Sequence, residues 1–482
     1  MRIKKLICCL FIIVVSTKAV AFDINASGYY RARGDLFKNL HLGTNELNDY
    51  RVLWNQRFRL NSEFTVSDYV SIDSTFDLLD NEFFGANPTT GTLAGNPSFY
   101  QSSASGASAA PEIAEDPSVD ILALSGSQKT GSLILVKRLW INILTPIGIL
   151  KIGRQPSHFG LGMTENGGDG YDSNFGDVAD RISFETGYQG YVLAFGGDKD
   201  AEFDEEFQLT NQSSGVDTNA DDVTRFFIKA GIDDDREKFL TMISRRWQSI
   251  TDTTEWIFDV YPSFNYLWYT FEGEFTTFQG DSQSQDLSAF NWVARNTARL
   301  SLFRFGVEAG FSSGTESGPS NTTSINTISF DRDYNVGYLL FEEALPGGPG
   351  FDSFNTANTN AASAPEAVGA VSNAIYYRAF AGVTLGDIFH IDLNVINAYA
   401  LKNPAIGYDP NNAGTLLFTS QKNYGVEYNF DFGLDVRKEL NLGLTFAHFI
   451  PGGIFDSQAK SVFNQEGASQ AITLQGRVLV RF

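Results

Sequence analysis

Thirty residues, GRQPSHFGLGMTENGGDGYDSNFGDVADRI from Gly153 to Ile182, gather the side chains of this sequence best suited to chemistry. Asp169, Asp172, Asn174 and Asp177 offer oxygen atoms at tight spacing, the donor set that a hard cation such as calcium takes. The spacing is not that of an EF-hand, because neither the glycine nor the distal glutamate falls in place. Gly160, Gly162, Gly167, Gly168, Gly170 and Gly176 let the segment turn tightly, which suits a loop folded back against a wall as a constriction. In that role Arg154, His158, Asp169, Asp172, Asp177, Asp180 and Arg181 are its expected working residues, with Arg154 and Arg181 at the flanking strand ends facing its carboxylates. Constriction is the expectation and calcium the alternative; no other cofactor is expected.

Nucleophilic catalysis finds little support. The four histidines, His41, His158, His390 and His448, are far apart, and no serine sits on a nucleophile elbow. Both cysteines, Cys8 and Cys9, lie within an apparent leader, so no thiol nucleophile or thiolate metal site is expected. The chain is not expected to be an enzyme.

A second set of polar residues repeats along the chain with period two. In RVLWNQRFRLN, Arg57 and Arg59 oppose Trp54, Phe58 and Leu60; in AITLQGRVLVRF, Arg477 and Arg481 oppose Leu474, Val478 and Val480. The same face carries Arg31, Arg33, Arg295, Arg299, Arg304 and Arg378, and with them Asp73, Asp77, Glu308, Asp392, Glu427 and Asp431. A dry core does not tolerate such groups unpaired, so the face predicts a wet interior, with the arginines either forming a field across a lumen or closing salt bridges along the wall.

The alternation predicts eighteen strands, near 24–33, 51–65, 69–80, 132–144, 147–155, 180–187, 189–199, 222–233, 237–249, 254–261, 265–279, 287–301, 303–313, 374–385, 387–401, 422–435, 440–450 and 471–482. Every second connection is short, while the others hold the long loops near 81–131, 156–179, 200–221, 314–373 and 402–421. A transmembrane antiparallel β-barrel has this parity, with short periplasmic turns and long extracellular loops. A sandwich gives no reason for it.

The ends agree. Residues 1–21 read as a secretory signal peptide, with Arg2, Lys4 and Lys5 ahead of an apolar run and Ala19-Val20-Ala21 as the cleavage site. The sequence stops on a strand at Phe482. A net charge of -22 makes nucleic acid an improbable partner. The expected surroundings are outer-membrane lipid and lipopolysaccharide, the expected biogenesis partner is the barrel assembly machinery, and the expected state is a monomer.

Four segments, GYYRARGDLFKNLHLG (Gly28 to Gly43), VKRLWINILTPIGILKIGRQPSHFGLGM (Val136 to Met163), FGDVADRI (Phe175 to Ile182) and FAHFIPGGIF (Phe446 to Phe455), resemble the alginate-export-type outer-membrane barrels and related porin-like proteins. The resemblance implies an eighteen-stranded barrel and, in the exporters, a densely basic lumen for an anionic polymer. The resulting expectation is a channel for passive diffusion of small hydrophilic solutes, charged ones included. The alternatives are an exporter of a charged polysaccharide and a surface barrel that binds partners through its loops.

Overall fold

The computed structural model describes residues 23–39, 42, 50–83, 86–87, 92–93, 134–200, 223–248, 253–282, 285–315, 324–341, 370–386, 388–408, 416–461 and 466–482. The expected leader and the Ser/Ala-rich segment 95–130 lie outside them.

Period-2 segments fold into long antiparallel strands. The first six are β1 (Asp23–Lys38), β2 (Tyr50–Ser67), β3 (Val70–Phe83), β4 (Ile134–Thr145), β5 (Gly148–Pro156) and β6 (Val178–Tyr188). Next come β7 (Tyr191–Asp200), β8 (Val223–Asp233), β9 (Glu237–Gln248), β10 (Thr253–Tyr266), β11 (Tyr269–Ser282) and β12 (Gln285–Leu300). The last six are β13 (Phe303–Ser312), β14 (Ala374–Leu385), β15 (Phe389–Ala400), β16 (Asn423–Arg437), β17 (Leu440–Pro451) and β18 (Ala471–Arg481). Each pairs with its chain neighbours, and β1 pairs with β18, so the eighteen close into a barrel with no free edge along the wall. The expected strand order and number hold throughout.

Boundaries differ where a breaker residue does not break. A turn was expected at Pro262 to Phe264, yet β10 continues to Tyr266 and the turn falls at Leu267 and Trp268. On its β11 side the ladder skips Tyr261 and Pro262 and resumes at Ser263, so the missing proline N–H costs a rung and not the strand. The expected loop 402–421 contains a small hairpin, Ala405–Tyr408 against Leu416–Phe418. Between β17 and β18 stands a short helix, α1 (Gly453–Ser461), whose Ile454, Phe455 and Ala459 are buried.

Outward positions are apolar: Leu139 and Ile141 on β4, Phe226 and Ile228 on β8, and Leu393 and Val395 on β15 are all exposed. The inner face has two zones: one is lined by the polar side chains that alternation predicts, and the other is dry, against the expectation of a wet interior. Toward the long-loop end, inward Tyr376, Ile396, Ala398, Ala447 and Phe449 make a dry core with Phe455 of α1 and with Met163, Phe330, Leu339, Leu340 and Phe341 from inward-folded loops. The polar-face pattern ends before these strands do, and their last inward residues are apolar or small enough to receive a packed loop.

Candidate functional site

Two loops enter the barrel. Loop A joins β5 to β6 over residues 157–177, and loop B includes residues 324–341 between β13 and β14. The glycines of loop A act where its limbs meet. Gly168 (φ 69°) and Gly176 (φ 80°) lie back to back, and a Cβ on Gly168 would stand 2.4 Å from the Gly176 Cα.

Inward basic side chains staple loop A to the wall by its carbonyl oxygens. Arg31 donates to the Tyr171 carbonyl at 2.8 Å, Arg57 to Ser173 at 2.6 Å and to Asn174 at 3.3 Å, and Arg59 to Gly168 at 2.8 Å. Arg138 donates to the Gly167 carbonyl and Lys137 to the Phe175 carbonyl. Carboxylates hold these cations in place: Asp77 takes Arg59 with two bonds of 2.7 Å, and Asp80 takes Arg57 at 2.5 Å.

On the opposite wall a carboxylate and a cation share the anchoring. Glu274 of β11, fully buried, accepts from the backbone amides of Leu161 (2.6 Å), Met163 (3.3 Å) and Thr164 (3.1 Å). Arg225 of β8 bonds Glu165, Asp198 and Ser157. Loop A therefore spans the lumen from β1–β4 to β8–β11. Loop B is held in the same way: Glu427 of β16 accepts from Tyr338 (2.6 Å), Leu339 (3.2 Å) and Leu340 (2.6 Å). The loops also join each other, since Asp333 accepts from the Asn174 amide at 2.8 Å and the Asp331 amide donates to the Met163 carbonyl at 2.7 Å.

Charge within the loops follows from these contacts. Burial would raise the Asp172 carboxyl, but the guanidiniums of Arg477, Arg31 and Arg33 outweigh it and hold the group below the usual carboxylate range. Burial pushes the Asp333 carboxyl above that range, against the pull of its two amide donors, Asn174 and Phe175. His158 is exposed, and its Nδ1 accepts from the Gly167 amide at 3.3 Å.

The other expected residues divide by place. Arg33 pairs with Asp35 (3.2 Å) and reaches the Asn174 side chain at 3.5 Å, and Arg477 pairs with Asp172. Away from loop A, Arg295 bonds Glu308 (2.6 Å) and the Tyr334 hydroxyl of loop B (3.1 Å). Arg304 pairs with Asp392 at 2.7 Å, Arg378 donates twice to Asn394, Asp431 accepts from Thr445, and Asp73 accepts from Asn142. Arg299 lies exposed near the short-turn end, 3.5 Å from the Thr270 hydroxyl.

Arg181 points inward and bonds Asp198 (2.7 Å) and Ser157 (2.8 Å). Arg154 and Asp180 do not belong to the constriction. They pair with each other at 2.9 Å on the outer surface, because Gln155, one residue on, takes the inward place and is buried. The four suggested calcium donors are not gathered either. Asp169 faces Arg138 (2.6 Å), Asp172 faces Arg477, Asn174 faces Arg33, and Asp177 accepts from the Asn166 amide (2.9 Å). Among the described residues no group of three or more His, Cys, Asp or Glu side chains is placed to hold a metal ion.

Sequence reasoning missed Lys137, Arg138, Arg225, Glu274 and Asp333. Arg225 and Glu274 were legible, since both fall on the polar face of expected strands. Lys137 and Arg138 were not: adjacent residues point to opposite faces, and only a bulge where Thr75 faces Arg138 and Phe76 faces Val136 lets both point inward.

No family model matches the chain, and no curated protein does. Solved structures do. The Pseudomonas aeruginosa protein OccK11 (OpdR) aligns over 95% of this chain and 96% of its own, with a TM-score of 0.50 and 9% identity. P. aeruginosa OccK2 (OpdF) aligns over 95% and 98%, with a TM-score of 0.50 and 10% identity. Likeness at this identity concerns the fold: a porin-like barrel is supported, and the alginate-export-type resemblance is not.

Proposed function

We propose that this protein is an integral outer-membrane channel through which small hydrophilic solutes diffuse passively, past a constriction made by loops A and B. The observation that carries the reading is the fixed position of loop A across the lumen, tied by cations to one wall and by Glu274 and Arg225 to the other. A loop merely covering a mouth needs no such opposed anchors. The apolar outward side chains ask for lipid, and a closed barrel is the form in which a sheet satisfies its backbone there. An eighteen-strand wall encloses enough width for water beside the loops. In this orientation the long-loop end faces outside and the short turns face the periplasm.

Selection would come from size and from the cations and carboxylates that alternate along the wall. Export of a charged polymer fits less well, because Asp77, Asp80 and Glu308 interrupt the basic surface. In planar bilayers the purified protein should give stepwise single-channel conductance, and deleting residues 166–176 of loop A should enlarge the step. A protein that inserts yet never conducts, with or without the loop, refutes the reading.

A further inference from the structure

We propose that Asp259 of β10 and Glu274 of β11 form, with the hydroxyls of Thr164 and Thr276, a calcium site that locks the first limb of loop A to the wall. It is distinct from the dispersed oxygen donors of residues 169–177.

Register brings the four residues together. Asp259 stands opposite Thr276 on the ladder between β10 and β11. Glu274 lies two positions along β11 on the same inward face, a diagonal neighbour within reach of a long side chain. Loop A settles on the pair. Thr164 gives its amide to Glu274 Oε1 at 3.1 Å, and its hydroxyl meets that of Thr276 at 2.7 Å. Gly160, with φ 55°, passes so close that a Cβ there would stand 2.6 Å from Glu274 Oε2.

Both carboxylates are buried, Asp259 at 1% exposure and Glu274 at 0%. No arginine, lysine or histidine pairs with either among the described residues. Glu274 has its three amide donors, but Asp259 has none. The Thr164 and Thr276 hydroxyls lie beside Asp259 and bond each other, and both Asp259 oxygens stay buried and unbonded among the described residues. Met242 stands opposite it on β9 and Ile257 flanks it along β10, so that side is apolar. A buried carboxylate with neither donor nor cation is costly, and a cation is the ligand that relieves it.

The donor atoms say which cation. All are oxygens, the set that a hard ion takes, and two carboxylates balance a divalent charge. Both Asp259 oxygens, Glu274 Oε1, which takes a single amide, and the two hydroxyls come one short of the six or so that calcium needs, and water supplies the last. Magnesium fits worse, because it demands near-ideal octahedral geometry and keeps several waters of its own.

The test loads the purified full chain with calcium in detergent, strips loosely held ions by rapid exchange into calcium-free buffer, and counts the retained calcium. Wild type should keep one calcium per chain more than Asp259→Asn, and excess magnesium should not displace it. Hydrogen exchange of the peptide 159–166 gives a second readout. With calcium at about ten times its dissociation constant, exchange in wild type should slow about tenfold relative to chelator-treated protein, the gain expected when only the closed state binds. Asp259→Asn should exchange equally with and without calcium. Equal retention by the two proteins, displacement by magnesium, or wild-type exchange indifferent to calcium each overturns the proposal; indifference is the result a proton held between the carboxylates gives. The chelator comparison uses wild type alone, so it decides even where the variant fails to fold. Neither readout involves conductance, so failure of this site and failure of the channel reading are told apart.

Discussion

Glu274→Ala removes one anchor of loop A and leaves the arginine anchors on both walls untouched. The carboxylate it deletes is buried and accepts three backbone amides, at 2.6, 3.1 and 3.3 Å. Each amide left without a partner loses about 1 kcal/mol or more, so the local closed state should lose about 3 kcal/mol. About 3 kcal/mol corresponds to roughly a hundredfold loss of hydrogen-exchange protection. The assay is exchange mass spectrometry of the peptide spanning 159–166, with 167–175 as internal control, because those residues stay stapled by Arg57, Arg59 and Arg138. In planar bilayers the variant should flicker between conductance levels as the freed limb moves. If protection of 159–166 changes by less than about threefold and the current stays quiet, Glu274 does not hold the loop and the opposed-anchor argument fails.

Arg59→Ala strands Asp77, itself 1% exposed, and should lower barrel stability by about 3–5 kcal/mol in thermal unfolding. The double variant Arg59→Met with Asp77→Asn should recover most of that loss; equal instability of the two would place the energy elsewhere. Because Asp172 titrates below the usual carboxylate range when folded, its contribution is present above the unfolded value and is lost as pH falls through the lowered folded value. Wild type and Asp172→Asn should therefore differ in exchange protection of 169–176 at neutral pH and converge in strong acid; a constant difference at all pH values contradicts the pairing with Arg477.

Alternation along the chain was enough to read the barrel. A side chain's face in a strand is a local property, so RVLWNQRFRLN and AITLQGRVLVRF declare an inner and an outer surface without knowledge of any partner. Short and long connections in strict turn then place loop A at the long-loop end, and its glycines announce a tight fold. What alternation cannot carry is any departure of one residue. The bulge that turns Lys137 inward beside Arg138, and the face that sends Arg154 and Asp180 outside, are decided by pairing with neighbouring strands.

The site itself joins residues that no window of sequence holds together. Arg59 meets the Gly168 carbonyl 109 positions away, Glu274 meets the amide of Leu161 at a separation of 113, and Asp333 meets Asn174 at 159. A backbone carbonyl or amide used as a binding partner leaves no mark on residue type, so Arg31, Arg57, Arg59 and Glu427 could be read as inner-face residues but not as loop anchors until closure of the barrel brought the two walls around the loops. The sequence by itself determined the wall and the loop that crosses it; tertiary structure decided which polar residues hold that loop, because only the closed ring sets β1–β4 and β8–β11 on opposite sides of one lumen.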